Sequence, residues 1–124
     1  MKKQTLLQIN VCNNVFSTGK IVSEIGELAI DNGWDSYIAY GRGTKPDRNR
    51  QIKIGWSLGH VLHGLETRLF DNHAIGFSSY IATKKLIRTI DKIRPDVINL
   101  HVLSGYYINI RVLFKYLSKV DIPI

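Results

Sequence analysis

The sequence predicts an α/β domain: a parallel sheet with helices on both of its faces. Short apolar runs of strand length alternate along the chain with longer segments whose apolar residues recur at helical spacing. The first run begins almost at the first residue, and open parallel sheets commonly start on a central strand. Two residues that end helices, Gly33 and Pro95, stand where helical segments should stop.

The first part of the chain supplies a strand, a turn, a helix and a second strand. The first strand is predicted at residues 5–12, and a polar loop follows over 13–18. A helix that ends near Gly33 is then marked by apolar residues at helical spacing, namely Ile21, Ile25, Leu28 and Ala29. The second strand is expected within 34–40, and residues 41–51 form the longest candidate surface loop.

The middle of the chain continues with a short strand at 52–54 and two helices. The first helix, which runs to about residue 70, has leucines on one face: Leu58, Leu62, Leu65 and Leu69. The second starts at residue 78 or 79 and turns four residues inward: Ala82, Leu86, Ile90 and Ile93. It stops at Arg94-Pro95, because proline has no N–H to donate and restricts the residue before it.

A strand at 96–101, a loop at 102–105 and a last helix complete the pattern. The inward face of that helix carries Leu113, Leu117 and Val120. Another apolar run opens at Ile122, so we expect residues 1–124 to be one domain at the front of a larger protein. The apolar edge left for a further strand predicts self-association.

The composition is that of an ordinary globular protein, with 44% hydrophobic and 22% charged residues. A single cysteine, Cys12, excludes an internal disulfide and points to the cytoplasm. Neither a signal peptide nor a membrane span is recognisable. Seventeen Lys and Arg against ten Asp and Glu favour anionic partners, but the basic residues form no tail typical of nucleic-acid binding.

Ligands of parallel sheets bind beyond the carboxyl ends of the strands, which selects the loops at 13–19, 41–43 and 101–105. The candidate substrate- or phosphate-binding residues are Asn14, Ser17, Thr18, Gly19, Lys20, Gly41, Arg42, Ser104 and Gly105. Residues 17–20 open a helix, so its free N–H groups could bind an anion, with Gly19 allowing a ligand to approach. Alternatively, Ser17 or Thr18 only caps the helix.

Nucleotide-binding motifs are incomplete in these loops. A phosphate-binding P-loop needs glycine at position 14 and Ser or Thr at position 21, where this chain has Asn14 and Ile21. The glycine pair Gly41 and Gly43 lacks the third glycine of a dinucleotide fingerprint. Neither NAD nor FAD is therefore expected as a cofactor.

His101, at a strand end, is the candidate catalytic residue, because a histidine can exchange a proton near neutral pH. A packed structural role is the alternative. Arg42 is either a solvated loop residue or a bidentate phosphate contact. No metal site is expected: His60 and His63 lack a carboxylate motif, and no Asp-x-Asp occurs.

Several segments together resemble one known pattern. They are residues 7–13, 17–21, 36–43, 63–71, 95–101 and 105–109. They are similar to the N-terminal domain of family-4 glycosyltransferases, most closely to bacterial members used in surface polysaccharide assembly. The resemblance covers essentially the whole chain.

This resemblance implies a GT-B architecture of two Rossmann-like domains, the first binding the acceptor and the second a nucleotide sugar. Transfer would retain the anomeric configuration without a metal ion or other cofactor. The turn at 17–19 and His101 would face the cleft, and Arg42 would match a basic loop position. The segments that bind the donor belong to a second domain not present in this sequence, so the chain alone is expected to be inactive.

The resulting hypothesis is the acceptor domain of a glycosyltransferase that uses a nucleotide-sugar donor and a glycan or lipid-phosphate-linked acceptor. The net charge of +7 suits such partners and also a peripheral contact with the inner membrane face. The alternative is a non-catalytic α/β module that binds an anion or another protein.

Overall fold

A computed structural model of the chain describes residues 2–55, 79–105 and 107–124. Its elements, in chain order, are β1 (Thr5–Asn10), α1 (Phe16–Asp31), β2 (Asp35–Tyr40), β3 (Arg50–Lys53), α2 (Tyr80–Ile93), β4 (Val97–Leu100) and α3 (Ile110–Leu117). The helix expected over 58–70, together with His60 and His63, lies outside the described residues.

The four strands form one parallel sheet in the order β3-β2-β1-β4. Leu7 of β1 stands opposite Tyr37 of β2 on one side and Ile98 of β4 on the other. The first strand is therefore central, and the predicted α/β fold with a parallel, Rossmann-like sheet is confirmed.

The two faces of the sheet differ in chemistry because successive side chains of a strand point to opposite faces. Leu7 and Ile9 of β1 join a buried apolar cluster with Leu86 of α2 and Leu113 of α3. Gln8, which lies between them, donates from Nε2 to the carbonyl oxygen of Val22 in α1 at 2.9 Å. Helices thus cover both faces, with α1 on one and α2 and α3 on the other.

Helix α1 lies very close to the sheet, and small residues make this possible. Its buried residues are Gly19, Val22, Ser23 and Gly26. A Cβ atom at Gly26 would stand 1.9 Å from Oδ1 of Asn49 and 2.7 Å from Oγ of Ser36. Only a residue without a side chain fits between the helix and these polar groups.

The apolar residues that mark α1 in the sequence do not form its buried face. Ile21 and Leu28 are 53% and 63% exposed, while the buried positions are glycine, serine and valine. The spacing of the apolar residues does describe a helix. Its inner face carries small residues because the helix lies close to the polar side chains of the sheet. The outer apolar residues remain accessible.

Several element boundaries differ from the sequence prediction. Strand β1 ends at Asn10, where the side chain donates to the carbonyl oxygen of Cys12 at 2.8 Å and the chain turns. Helix α1 begins at Phe16 with Val15 as its N-cap and without a side-chain capping bond. Ser17 and Thr18 lie inside the first turn, so the interpretation of either residue as the cap is wrong.

The helix ends follow the local signals in the sequence. Gly33 has a φ of +87°, as expected for a glycine just beyond α1. Helix α2 ends at Ile93, and Arg94 adopts a left-handed φ of 50° before Pro95. Asn109 caps α3, because its Oδ1 accepts from the backbone N–H of Val112 at 3.1 Å.

The segment after α3 returns to the sheet beside β4. The N–H of Ile98 donates to the carbonyl oxygen of Pro123 at 2.9 Å, and Ile122 packs against the apolar cluster. The predicted last strand thus has a hydrogen bond along this edge, although no strand is assigned there. Self-association through the edge stays a prediction. Of the helices that the structure describes, none combines the length and apolar character required to cross a bilayer.

Replacing Gly26 by Ala should destabilise the fold by about 2 kcal/mol, because overpacking outweighs the better helix propensity of alanine. The new methyl group would separate Ser36 from Asn49, whose hydrogen bond is 2.6 Å long. Urea unfolding followed by circular dichroism measures the change. Glu24→Ala, at an exposed position of the same helix, is the matched control and should alter stability little. Equal stability of the two variants would contradict the close packing of α1.

Candidate functional site

The segments that follow β1 and β2 run side by side beyond the sheet. The N–H of Arg42 donates to the carbonyl oxygen of Val11 at 2.8 Å, and the N–H of Asn13 donates to that of Gly43 at 3.0 Å. Asn13 and Thr44 form a parallel bridge. Two of the three predicted loops are therefore held together by backbone hydrogen bonds.

The loop after β4 joins them on the other side of β1. The N–H of His101 donates to the carbonyl oxygen of Ile9 at 3.0 Å, and the N–H of Val102 donates to Oδ1 of Asn10 at 3.1 Å. The chain moves from β1 to β2 on one side and returns to β4 on the other. Ligands of open parallel sheets bind beyond such a reversal of strand order.

Tyr107 fastens the loop after β4 to the loop after β2. Its side chain is fully buried, and a Cβ atom at Gly41 would stand 2.4 Å from its Cγ. Its hydroxyl donates to the carbonyl oxygen of Val102 at 2.6 Å. Burial raises the pKa of Tyr107, with a smaller contribution from Cys12, so the phenol stays protonated and keeps this hydrogen bond.

The glycines of the candidate site serve packing. The space where Gly19 would carry a side chain is taken by Cys12, whose Sγ would lie 3.0 Å from a Cβ atom. Gly105 has a φ of +120°, and a Cβ there would approach Cγ2 of Val11 to 2.9 Å. Gly41 faces Tyr107 in the same way. The expectation that Gly19 leaves room for a ligand against its backbone is wrong, because that space is filled by protein.

The turn between β1 and α1 is conformationally strained. Asn14 and Phe16 have φ values of 56° and 57°, in the left-handed region that side chains disfavour. The N–H of Asn14 donates to the carbonyl oxygen of Gly19 at 2.9 Å. Val15, the N-cap residue, makes no side-chain hydrogen bond to the first turn of α1. This geometry is consistent with the interpretation that the N–H groups of that turn bind an anion. Ser17 and Lys20 are exposed there.

His101 is held by a short chain of hydrogen bonds that fixes its tautomer. Gln8 donates from Nε2 to the carbonyl oxygen of Val22, so its Oε1 must be the atom 2.9 Å from Nε2 of His101. An oxygen of an amide only accepts, and the imidazole must therefore carry its proton on Nε2. Asn99 also donates to this oxygen, at 3.4 Å.

The other imidazole nitrogen, Nδ1 of His101, is left as the basic atom. Within the described part of the chain it has no hydrogen-bond partner, and the residue is partly exposed. Partial burial lowers the pKa of His101 because desolvation disfavours the charged ring. A neutral imidazole with a free lone pair can accept a proton or a hydrogen bond from a ligand hydroxyl.

Asp47 ties the loop after β2 to α1 and to the turn after β1. Its Oδ2 accepts from Oγ of Ser23 at 2.6 Å, from Nδ2 of Asn49 at 2.9 Å and from Nδ2 of Asn13 at 3.2 Å. Desolvation would raise the pKa of Asp47, but these hydrogen bonds from Ser23, Asn49 and Asn13 outweigh it and lower the pKa. The carboxylate thus stays charged and joins three elements.

The structure brings the three predicted loops together through their backbones, but the predicted polar side chains do not converge. Arg42, Lys20 and Ser104 are exposed and make no side-chain hydrogen bond to any residue of the described ranges. Asn14 donates from Nδ2 to the carbonyl oxygen of Pro46 at 3.1 Å. Thr18 lies near Cys12, with 3.7 Å between Oγ1 and Sγ.

The polar residues that support the site are not among the residues predicted from the sequence. Gln8 and Asn10 stand at alternate positions of β1 and share the face that α1 covers, so their spacing was a usable signal. Asp47 lies in an ordinary polar loop, and its partners are distant in sequence. Oδ1 of Asn13 is buried and has no hydrogen-bond partner among the residues that the structure describes.

Comparisons of the chain with protein-family models, with curated proteins and with solved structures give no match. In the part of the chain that the structure describes, no three His, Cys, Asp or Glu side chains gather as a metal site. The geometry of the three loops at the carboxyl edge of the sheet is therefore the basis for assigning a function.

Gln8→Leu should allow both neutral tautomers of His101 to be populated. The imidazole then loses its only acceptor for the Nε2 proton among the described residues. Nitrogen NMR shifts of the ring, measured above its pKa, should move from one tautomer towards a mixture. Gln8→Glu is the matched comparison: its carboxylate still accepts from Nε2, so it should retain the tautomer and raise the pKa of His101. A wild-type ring already present as a mixture would contradict the assignment.

The pH dependence of stability should reveal the burial of His101. Its folded-state pKa lies below the unfolded value of 6.5, so the unfolded chain binds the proton first. Stability is therefore highest above that pH and falls as the pH drops from 6.5 towards the folded pKa. His101→Asn should flatten this part of the curve, measured by urea unfolding at several pH values. Asp47 acts in a separate window, below its ordinary value of 3.8. Identical pH profiles of the wild type and His101→Asn would contradict the prediction.

Proposed function

We propose that the chain is the acceptor-side domain of a retaining glycosyltransferase of GT-B type, with its substrates bound at the carboxyl edge of the sheet. One observation carries the proposal: the first turn of α1 and His101 flank the reversal of strand order between β1 and β4. An anion site and a base on either side of one crevice suit a substrate that combines a phosphate with sugar hydroxyls.

The proposed roles follow from the chemistry of each group. The uncapped N–H groups of α1 bind a phosphate or sugar oxygen, and the exposed side chains of Arg42 and Lys20 add positive charge. Nδ1 of His101 accepts a hydrogen bond or a proton from an acceptor hydroxyl. The nucleotide-sugar donor is bound chiefly by a second domain, and the acceptor is a glycan or a lipid-linked phosphate. The reaction uses no metal ion, and the protein acts in the cytoplasm.

A non-catalytic anion-binding module is the second candidate. The uncapped first turn of α1 favours it, since that feature requires neither a second domain nor a catalytic base. In that case His101 is a packed residue whose hydrogen bond to Gln8 is structural. The glycosyltransferase requires Nδ1 of His101 to accept a hydrogen bond or a proton from the acceptor, whereas the anion-binding module does not.

Titration of the labelled chain with a sugar phosphate and with nucleotide sugars tests the location of the site. Backbone NMR shifts should change at 13–19, 41–43 and 101–105. Arg42→Gln should weaken phosphate binding about tenfold, because a charge-assisted contact is lost. Arg88→Gln removes an equal charge from α2, away from this edge, and should leave the affinity unchanged. Saturable shifts confined to another surface would overturn the proposed site.

His101→Asn separates the two functions. Under the glycosyltransferase proposal, an acceptor sugar should bind more weakly to this variant while inorganic phosphate binds as before. If both ligands bind equally well to the variant and the wild type, the anion-binding module is favoured. Sugar transfer by the 124-residue chain alone is expected to be undetectable. Measurable transfer would contradict the assignment of donor binding to a second domain.

A further inference from the structure

The outer side of α2 combines apolar and basic residues in one stripe. Ile81, Lys84, Lys85 and Arg88 recur at helical spacing and line one shallow surface groove. Ile81 is 68% exposed, and the inward residues of the same helix are Thr83, Leu86 and Ile90. The stripe therefore faces away from the core.

Helix α3 continues this surface. It packs beside α2, and the groove between the two helices is lined by Tyr80, Lys84, Ile87, Val112, Lys115, Tyr116 and Lys119. Tyr80 is 47% exposed. The ammonium of Lys84 lies 5.6 Å from the ring centre of Tyr80. We call the residues that line these two grooves the α2–α3 face.

Charge is segregated between the two faces of the domain. Within α2 and α3, six basic residues accompany one acidic residue, Asp91, whose Oδ1 accepts from the hydroxyl of Tyr116 at 2.6 Å. Helix α1, on the opposite face of the sheet, has one basic and three acidic residues. Two of those acidic residues, Glu27 and Asp31, pair with Arg48. Among the described residues of the three helices, both faces expose large apolar side chains, but an excess of basic residues accompanies them only on the α2–α3 face.

We propose that the α2–α3 face docks on an anionic phospholipid bilayer, with Ile81 and Tyr80 at the level of the headgroups and the lysines on lipid phosphates. Amphipathic surfaces of this composition lie in the interface of a membrane without crossing it. Long lysine side chains can cover apolar surface while their charged ends reach the headgroups. The accessible Ile81 and Tyr80 side chains gain from burial in a lipid interface, whereas the phosphate backbone of a nucleic acid offers them little apolar surface.

This inference is independent of the proposed reaction, because it involves none of the residues at the carboxyl edge. Co-sedimentation with vesicles tests it on the 124-residue chain. The chain should bind vesicles of mixed phosphatidylglycerol and phosphatidylcholine and leave pure phosphatidylcholine vesicles unbound. Raising the ionic strength should release it, because salt screens the attraction between the basic residues and the lipids.

Matched variants locate the surface. Removing three charges from α2 with Lys84→Gln, Lys85→Gln and Arg88→Gln should weaken vesicle binding about 100-fold. The control removes three charges elsewhere with Lys2→Gln, Lys3→Gln and Lys53→Gln, and should bind several-fold more tightly than the α2 variant. All six side chains are exposed, so folding, checked by circular dichroism, should be retained.

A second pair of variants tests the apolar contribution. Ile81→Ser should reduce vesicle binding, whereas Ile21→Ser, at an exposed position of α1, should not. Equal losses in each test and control pair would show that binding follows total charge or hydrophobicity, and would overturn the proposed face. Binding of duplex RNA without binding of anionic vesicles would also overturn it, in favour of a nucleic-acid surface.

Discussion

The close approach of α1 to the sheet is the constraint on which the rest of the structure depends. Gly26 permits it, and the space beneath the helix is occupied by polar side chains that hydrogen-bond to one another and to the helix. Gln8 binds the backbone of α1, Ser36 binds Asn49, and Asp47 gathers donors from three elements. Because hydrogen bonds are directional, this layer sets the position of α1 relative to β1 and β2.

The opposite face of the sheet works by a different principle. There Leu7, Ile9, Leu86 and Leu113 form an apolar cluster whose attraction depends on buried area and not on orientation. One face thus supplies most of the driving force for folding, while the other specifies geometry. The candidate site is positioned by the polar face that α1 covers. Gln8 hydrogen-bonds to His101 there, and Asp47 holds the loop after β2.

Local signals in the sequence were sufficient for the presence of the four strands, for the helix stops and for the convergence of the three loops, but β1 ends earlier and β3 begins earlier than predicted. Arg94-Pro95 ended a helix as expected because proline acts on its own neighbours. The inner face of α1 was not predictable from apolar spacing, because its small residues are selected by partners far along the chain. The supporting roles of Gln8 and Asp47 were missed for the same reason: Gln8 and His101 are 93 positions apart.

The packing of Tyr107 against Gly41 has a consequence for the entropy of ligand binding. The ring cannot leave its place without exposing a fully buried aromatic surface and breaking the hydrogen bond to Val102. The loops after β2 and β4 are therefore ordered before any ligand arrives, and the backbone bonds of Val11 extend that order to the loop after β1. A ligand in this crevice would meet a preorganised surface, and little of its interaction energy would be consumed in freezing loops.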